Sequence, residues 1–145
     1  MGRVFGWKAR SICSREPHGV TTRLIGEHWE TVAESFLRDR GLRPLRRNFQ
    51  SRLGEVDLIM QDGPVLVFVE VRFRRASSRG SGAETVDRRK QRRIEQAAAL
   101  FLAGHPRLAA RPCRFDVVSM GKHFGREQQD VTIEWIKNAF QAMTR

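Results

Sequence analysis

The sequence predicts an α/β fold, a mixed central sheet flanked by helices in the order α-β-β-β-α-β. Three observations carry this. The run Val65-Leu66-Val67-Phe68-Val69-Glu70-Val71-Arg72-Phe73 is β-branched and aromatic, as a strand buried on both faces should be. Two segments on either side of it carry apolar residues at helical spacing. Asp62-Gly63, just before the run, is a hairpin signal.

In chain order, the first helix is predicted over Leu24 to Arg40. Trp29, Val32, Ala33, Phe36 and Leu37 form its apolar stripe, Glu27, Glu30 and Glu34 flank it, and Gly41 ends it. A short strand is expected near Leu45 to Gln50. The Gly54-Glu55 turn leads into a strand from Val56 to Met60, antiparallel to the Val65 run across the Asp62-Gly63 turn. Ala76 to Gly82, rich in Ser, Gly and Arg, reads as a loop. The second helix is predicted from Asp87, a natural N-cap, to Ala103, with Ile94, Ala97, Ala98, Phe101 and Leu102 inward. Arg114 to Met120 is the next strand, and Val131 to Phe140 packs a last strand or turn against the sheet. Residues 1–23 read as a basic, disordered N-terminal extension and residues 24–145 as a single domain.

The chain has 145 residues, 40% apolar and 30% charged, with a net charge of +11, so it is globular and strongly basic. Most of the positive charge is arginine, which binds phosphate through a planar fork. Nucleic acid is therefore the first partner to consider. No run is long and apolar enough to span a bilayer, so no membrane partner is expected. The two cysteines, Cys13 and Cys113, lie far apart, which points to a reduced, cytoplasmic protein without a structural zinc site.

Glu70 is the chemically informative residue. A carboxylate in so apolar a strand costs several kcal/mol unless it is paired or holds a metal, an order of magnitude set by desolvation. Asp57 opens the neighbouring strand, and Glu30 flanks the first helix. Asp57 and Glu70, with the backbone carbonyl of Val71, form an oxygen donor set suited to Mg²⁺ or Mn²⁺. Glu30 would hold a second metal or a metal-bound water. Arg72, on the same face as Glu70, would contact the scissile phosphate. The bland alternative is a Glu70–Arg72 ion pair with Asp57 capping a turn. Beyond the strand, Arg74, Arg75, Arg79, Arg88, Arg89, Lys90, Arg92 and Arg93 crowd one interval, against only Glu84 and Asp87. They predict a surface that tracks phosphates beside the acids. No aromatic pattern for base stacking accompanies them. Asp116 is expected to have an arginine partner or a supporting role rather than a ligand's.

At these residues the chain resembles the YraN-like family of small bacterial proteins, within the restriction-endonuclease-like and Holliday-junction-resolvase-like grouping. The likeness lies in Gly26-x-x-Trp29-Glu30-x-x-Ala33, Arg47-Asn48, Gly54-Glu55-Val56-Asp57-Leu58-Ile59, Val67-Phe68-Val69-Glu70-Val71-Arg72, Lys90-Gln91-Arg92-Arg93, Arg114-Phe115-Asp116-Val117-Val118 and Trp135-Ile136-x-Asn138-Ala139-Phe140. It implies a restriction-endonuclease-like core with a Glu…Asp…Glu-x-Lys motif, carried here by Glu30, Asp57 and Glu70, with Arg72 in the lysine position. Trp29 stands where a glycine usually precedes the helix glutamate. The expected activity is metal-dependent endonuclease cleavage of DNA, on branched or damaged structures. The competing expectation, motivated by Arg72, is a non-catalytic DNA-binding or repair-accessory module on the same scaffold. Resolvase-like enzymes often work as dimers, so a homodimer is the assembly to test, although no interface is legible in the chain.

Overall fold

The computed structural model describes residues 3–6, 22–74, 86–124 and 129–142. In chain order the elements are β1 (Arg3–Gly6), α1 (Thr22–Arg38), β2 (Arg43–Gln50), β3 (Glu55–Asp62), β4 (Val65–Arg74), α2 (Arg88–Ala103), the short α3 (Pro106–Ala109), β5 (Cys113–Phe124) and β6 (Gln129–Phe140). Among the described residues, six strands form one sheet in the order β1-β6-β5-β4-β3-β2. It is mixed, as expected: β4 and β5 run parallel, joined by the crossover that contains α2, and every other neighbouring pair is antiparallel.

Alternation along β4 explains why both sheet faces are covered. Val67 and Val69 point to one side, where they meet Trp29, Val32, Ala33, Phe36 and Leu37 of α1. Leu66 and Phe68 point to the other, where they meet Ile94, Ala97, Ala98 and Phe101 of α2. The sheet is thus sandwiched between two helices, and its central strand is dry on both faces. Phe68 anchors the α2 side, stacked on Phe115 and edge-on to Phe101.

The hairpin between β3 and β4 turns at Gly63-Pro64. Gly63 takes φ +57°, a conformation that costs glycine nothing. One feature differs from the sequence expectation. Arg3–Gly6, in the expected N-terminal extension, pairs with β6 from Arg3↔Trp135 to Gly6↔Thr132. The last segment is a strand, one of the two expected alternatives, and it pairs with β5 almost throughout. Its irregularity falls between Phe115 and Val117, where Asn138 adopts φ +53° and gives its N–H to Asp116. Buried Asp116 also accepts from Trp135 Nε1 at 2.9 Å and from Arg114 Nε at 2.8 Å. Its role is to fasten β5 to β6, and the expected arginine partner is Arg114.

Candidate active site

The β3–β4 ladder runs from Asp62↔Val65 to Leu58↔Val69. One further step sets Asp57 beside Glu70, and their carboxyl groups lie within hydrogen-bonding reach. Asp57 Oδ2 also accepts the Val71 N–H at 2.8 Å, which ties the acid to the neighbouring strand. Glu70 is 3% exposed. Its Oε1 meets Lys90 Nζ in direct contact and lies 3.9 Å from Arg72 Nε. No donor among the described residues reaches its Oε2.

Lys90 arrives there for a local reason. It precedes Ile94 by one helical turn, and Ile94, Ala97, Ala98 and Phe101 are the buried stripe of α2. Lys90 therefore heads the stripe that faces the sheet. Asp87 caps the helix by accepting the Lys90 N–H at 2.8 Å, which fixes where the first turn begins. The helix is also seated by Gly54, which lies so close to the Arg93 carbonyl that a Cβ there would collide with the α2 backbone.

Glu30 approaches from the opposite side of the sheet on α1. Trp29 stacks on Phe73 with ring centroids 4.1 Å apart and nearly parallel planes, so the residue before Glu30 clamps α1 to the end of β4. Asn48, left-handed at φ +48°, hydrogen-bonds the Glu30 side chain. Arg47 holds β2 to α1 through Thr31 Oγ1 at 2.9 Å. Glu30 Oε2 is a second buried carboxylate oxygen that no donor reaches among the described residues.

The electrostatics follow from this crowding. Burial, then the charge of Asp57, pushes the Glu70 carboxyl up to about 7; Lys90 and Arg72 oppose the rise. Burial likewise raises Asp57 against the pull of the Val71 N–H and Lys90. Glu30 is raised too, chiefly by burial and further by Asp57, with the Asn48 hydrogen bond opposing. Three carboxyl groups thus sit where ionisation is costly, and two of them keep a bare oxygen. Added positive charge is what such a cluster lacks. Asp57 and Glu70 fit a cation that takes one or two carboxylates and completes its shell with water or phosphate oxygen, as Mg²⁺ and Mn²⁺ do. Among the described residues, no group of three or more His, Cys, Asp and Glu side chains is spaced to hold a metal by itself.

The structure thus sets Asp57, Glu70 and Arg72 side by side, and puts Glu30, across the sheet, within electrostatic range of Asp57. Of the expected phosphate-tracking residues, Arg88, Arg89, Arg92 and Arg93 are exposed on the outer face of α2, and Arg74 is half-buried at the end of β4. Lys90 turns inward to Glu70 instead. Arg75 and Arg79 lie outside the described residues. Sequence reasoning did not single out Asn48 beyond its place in the resemblance. It also passed over Arg52, exposed on the Ser51–Gly54 turn that abuts α2. Among the described residues no helix is long and apolar enough to cross a membrane.

Comparison with known proteins bears on the same residues. The profile of the Uncharacterised protein family UPF0102 matches residues 29–120, which contain every acid of the cluster. A UPF0102 protein of Stutzerimonas stutzeri (strain A1501) is 47% identical over 117 residues, covering 81% of this chain and 94% of the relative. One of Xanthomonas campestris pv. campestris (strain B100) is 49% identical over 112 residues, 77% of this chain and 87% of its own. One of Saccharophagus degradans is 48% identical over 115 residues, 79% of this chain and 91% of its own.

Proposed function

We propose, from the premise that the chain belongs to the uncharacterised protein family UPF0102, that it is a Mg²⁺- or Mn²⁺-dependent endonuclease hydrolysing DNA phosphodiester bonds, with branched or damaged DNA as the preferred substrate. The observation that carries this reading is the pairing of half-buried Asp57 with buried Glu70, with a bare Glu70 oxygen and a basic helix starting beside it. Asp57, Glu70 and the Val71 carbonyl would hold the metal, and Glu30 would hold its water or a second ion. The bound cation would polarise the phosphodiester and favour ionisation of an attacking water. The protein's own part is orientation. Val71 N–H fixes one face of Asp57, Asn48 fixes Glu30, and the outer arginines of α2 align the phosphate backbone. A cytoplasmic location accords with the free, exposed thiol of Cys113. A homodimer would place two such sites on one branched substrate.

The test is purified protein against a four-way junction, an abasic duplex and an intact duplex, with Mg²⁺, Mn²⁺ and EDTA. Cleavage should require a divalent cation. Asp57→Ala and Glu70→Ala should each lose about 100-fold or more in rate, the scale of removing a metal's charge stabilisation, while DNA affinity stays near wild type. The second reading, a DNA-binding or repair-accessory module, is favoured by one observation: Lys90 already neutralises Glu70 from within. Salt-sensitive binding with no metal-dependent cleavage on any of these substrates would decide for it.

A further inference from the structure

The resemblance places the motif's lysine on the strand, two residues after its glutamate, where this chain has Arg72. Arg72 shares a face of β4 with Glu70, yet its Nε stays 3.9 Å from Glu70 Oε1. The cation in contact with that oxygen is Lys90, from a different element. The chain's lysines are Lys8, Lys90, Lys122 and Lys137. Lys137 is engaged elsewhere, over the Trp135 ring and 4.0 Å from Asp62 at the hairpin end of β3. Lys90 is held in place by three independent features already described: the Asp87 cap, its position at the head of the α2 stripe, and the backbone contact of Gly54 with Arg93.

The two cations differ in what they can do at this spot. An ammonium is a compact charge with three donors, so one N–H can stay on Glu70 while another reaches a phosphoryl oxygen. A guanidinium spreads its charge over a rigid planar fork, and the Arg72 fork is not seated on the carboxylate. Lys90 lies in the first turn of α2, where its own N–H is taken by the Asp87 cap, so what it offers an anion at this spot is its ammonium. The bare Oε2 of 3%-exposed Glu70 marks the same spot as one built for a further ligand.

We propose that Lys90, delivered by α2, is the cation that contacts the reacting phosphate beside Glu70, taking the role that the motif's strand position would give to Arg72. This rests on the nuclease reading above. Arg72 is left to balance the charge of the acid pair.

The experiment compares Lys90→Met, Lys90→Arg and Arg72→Met with wild type on the DNA structure that wild type cleaves best. Three quantities are read: single-turnover rate with Mg²⁺, DNA affinity, and Mn²⁺ affinity by electron paramagnetic resonance. Lys90→Met should lose about 100-fold or more in rate, as loss of a donor to developing charge does. Its DNA affinity should stay within about threefold, because one phosphate contact is a small part of the total. Its Mn²⁺ affinity should hold or rise, since a competitor for Glu70 is gone. Arg72→Met should lose less than about tenfold, and Lys90→Arg should fall between the two. A Lys90→Met protein that cleaves within about threefold of wild type overturns the inference. So does one that loses Mn²⁺ binding, because Lys90 would then only hold the acids in place. Thermal unfolding checks that each variant folds; should Lys90→Met not fold, wild-type cleavage by Lys90→Arg overturns the inference in its place. A wild-type protein that cleaves nothing with either metal overturns the nuclease reading and this inference together, an outcome distinct from an active wild type with an equally active Lys90→Met.

Discussion

Glu70 makes the stability of the metal-free protein depend on pH in a definite direction. Its folded value, about 7, lies above its ordinary 4.5. Between those values the folded state keeps a proton that the unfolded chain has released. Stability is therefore lost as pH rises from about 4.5 to 7, and Asp57 adds to the loss with the same sign. Thermal unfolding without metal should show a melting temperature that falls from pH 5 to pH 8, and Glu70→Gln should flatten that fall. Asp116 is the contrasting acid. All its principal donors come from β5 and β6, and its carboxylate is fully used, so it has no capacity left for a ligand. Asp116→Ala leaves the buried Trp135 indole N–H without its acceptor and takes two hydrogen bonds from half-buried Arg114, which keeps Asp62, and should cost about 1–3 kcal/mol in urea unfolding. The two acids looked alike in the sequence, each a carboxylate in an apolar strand. Asp116 was legible because Arg114 stands two residues away on the same face of the strand. Glu70 also has an arginine two residues on, but the cation in contact with it comes from a helix, and no local pattern announces that.

At the scale of elements, α2 was legible in extent and stripe, from the Asp87 cap to Gly104. What escaped notice was that its stripe begins one turn earlier than its first apolar residue, with Lys90. Helical spacing contained the information, but a lysine in a basic run is ordinarily read as solvated. The β3–β4 hairpin was legible from Asp62-Gly63, but its register was not: a one-residue slip would put Asp57 and Glu70 on opposite faces, and it is the Asp62↔Val65 pairing that places them side by side. The four-residue strand β1 was beyond reach, because so short a segment has no measurable period and gains its order only from the edge of β6. Gly54 is the joint between these elements. It is buried against the α2 backbone, and its side-chain hydrogen-bonded turn is closed by Ser51 Oγ. Gly54→Ala should destabilise by about 1–3 kcal/mol, the usual scale of overpacking, measured by urea unfolding. Because it would push α2 from β3, it should also weaken the Lys90–Glu70 contact and slow cleavage more than its stability loss alone explains.

For the whole molecule, charge is the property that sequence conveys best. Within the net charge of +11, α2 contributes an exposed arginine face and an inward lysine at its head. Replacing Arg88, Arg89, Arg92 and Arg93 singly with Ala should lower DNA affinity alike on every sequence, and each lost phosphate contact should reduce the slope of log affinity against log salt by about 1. Fluorescence anisotropy between low and physiological salt measures this. The topology has a consequence for the order of assembly. The hairpin that joins Asp57 to Glu70 closes a two-residue turn, whereas Lys90 reaches Glu70 only after the β4–α2 crossover. Short loops close at lower entropic cost and sooner. Two carboxylates therefore meet before their counter-ion arrives, and the nascent hairpin carries a repulsion that the finished protein has relieved. Stopped-flow refolding of metal-free protein should be faster near pH 5 than near pH 8, with Glu70→Gln removing the difference, so that the groups proposed to cut DNA also govern how quickly the chain finds its shape.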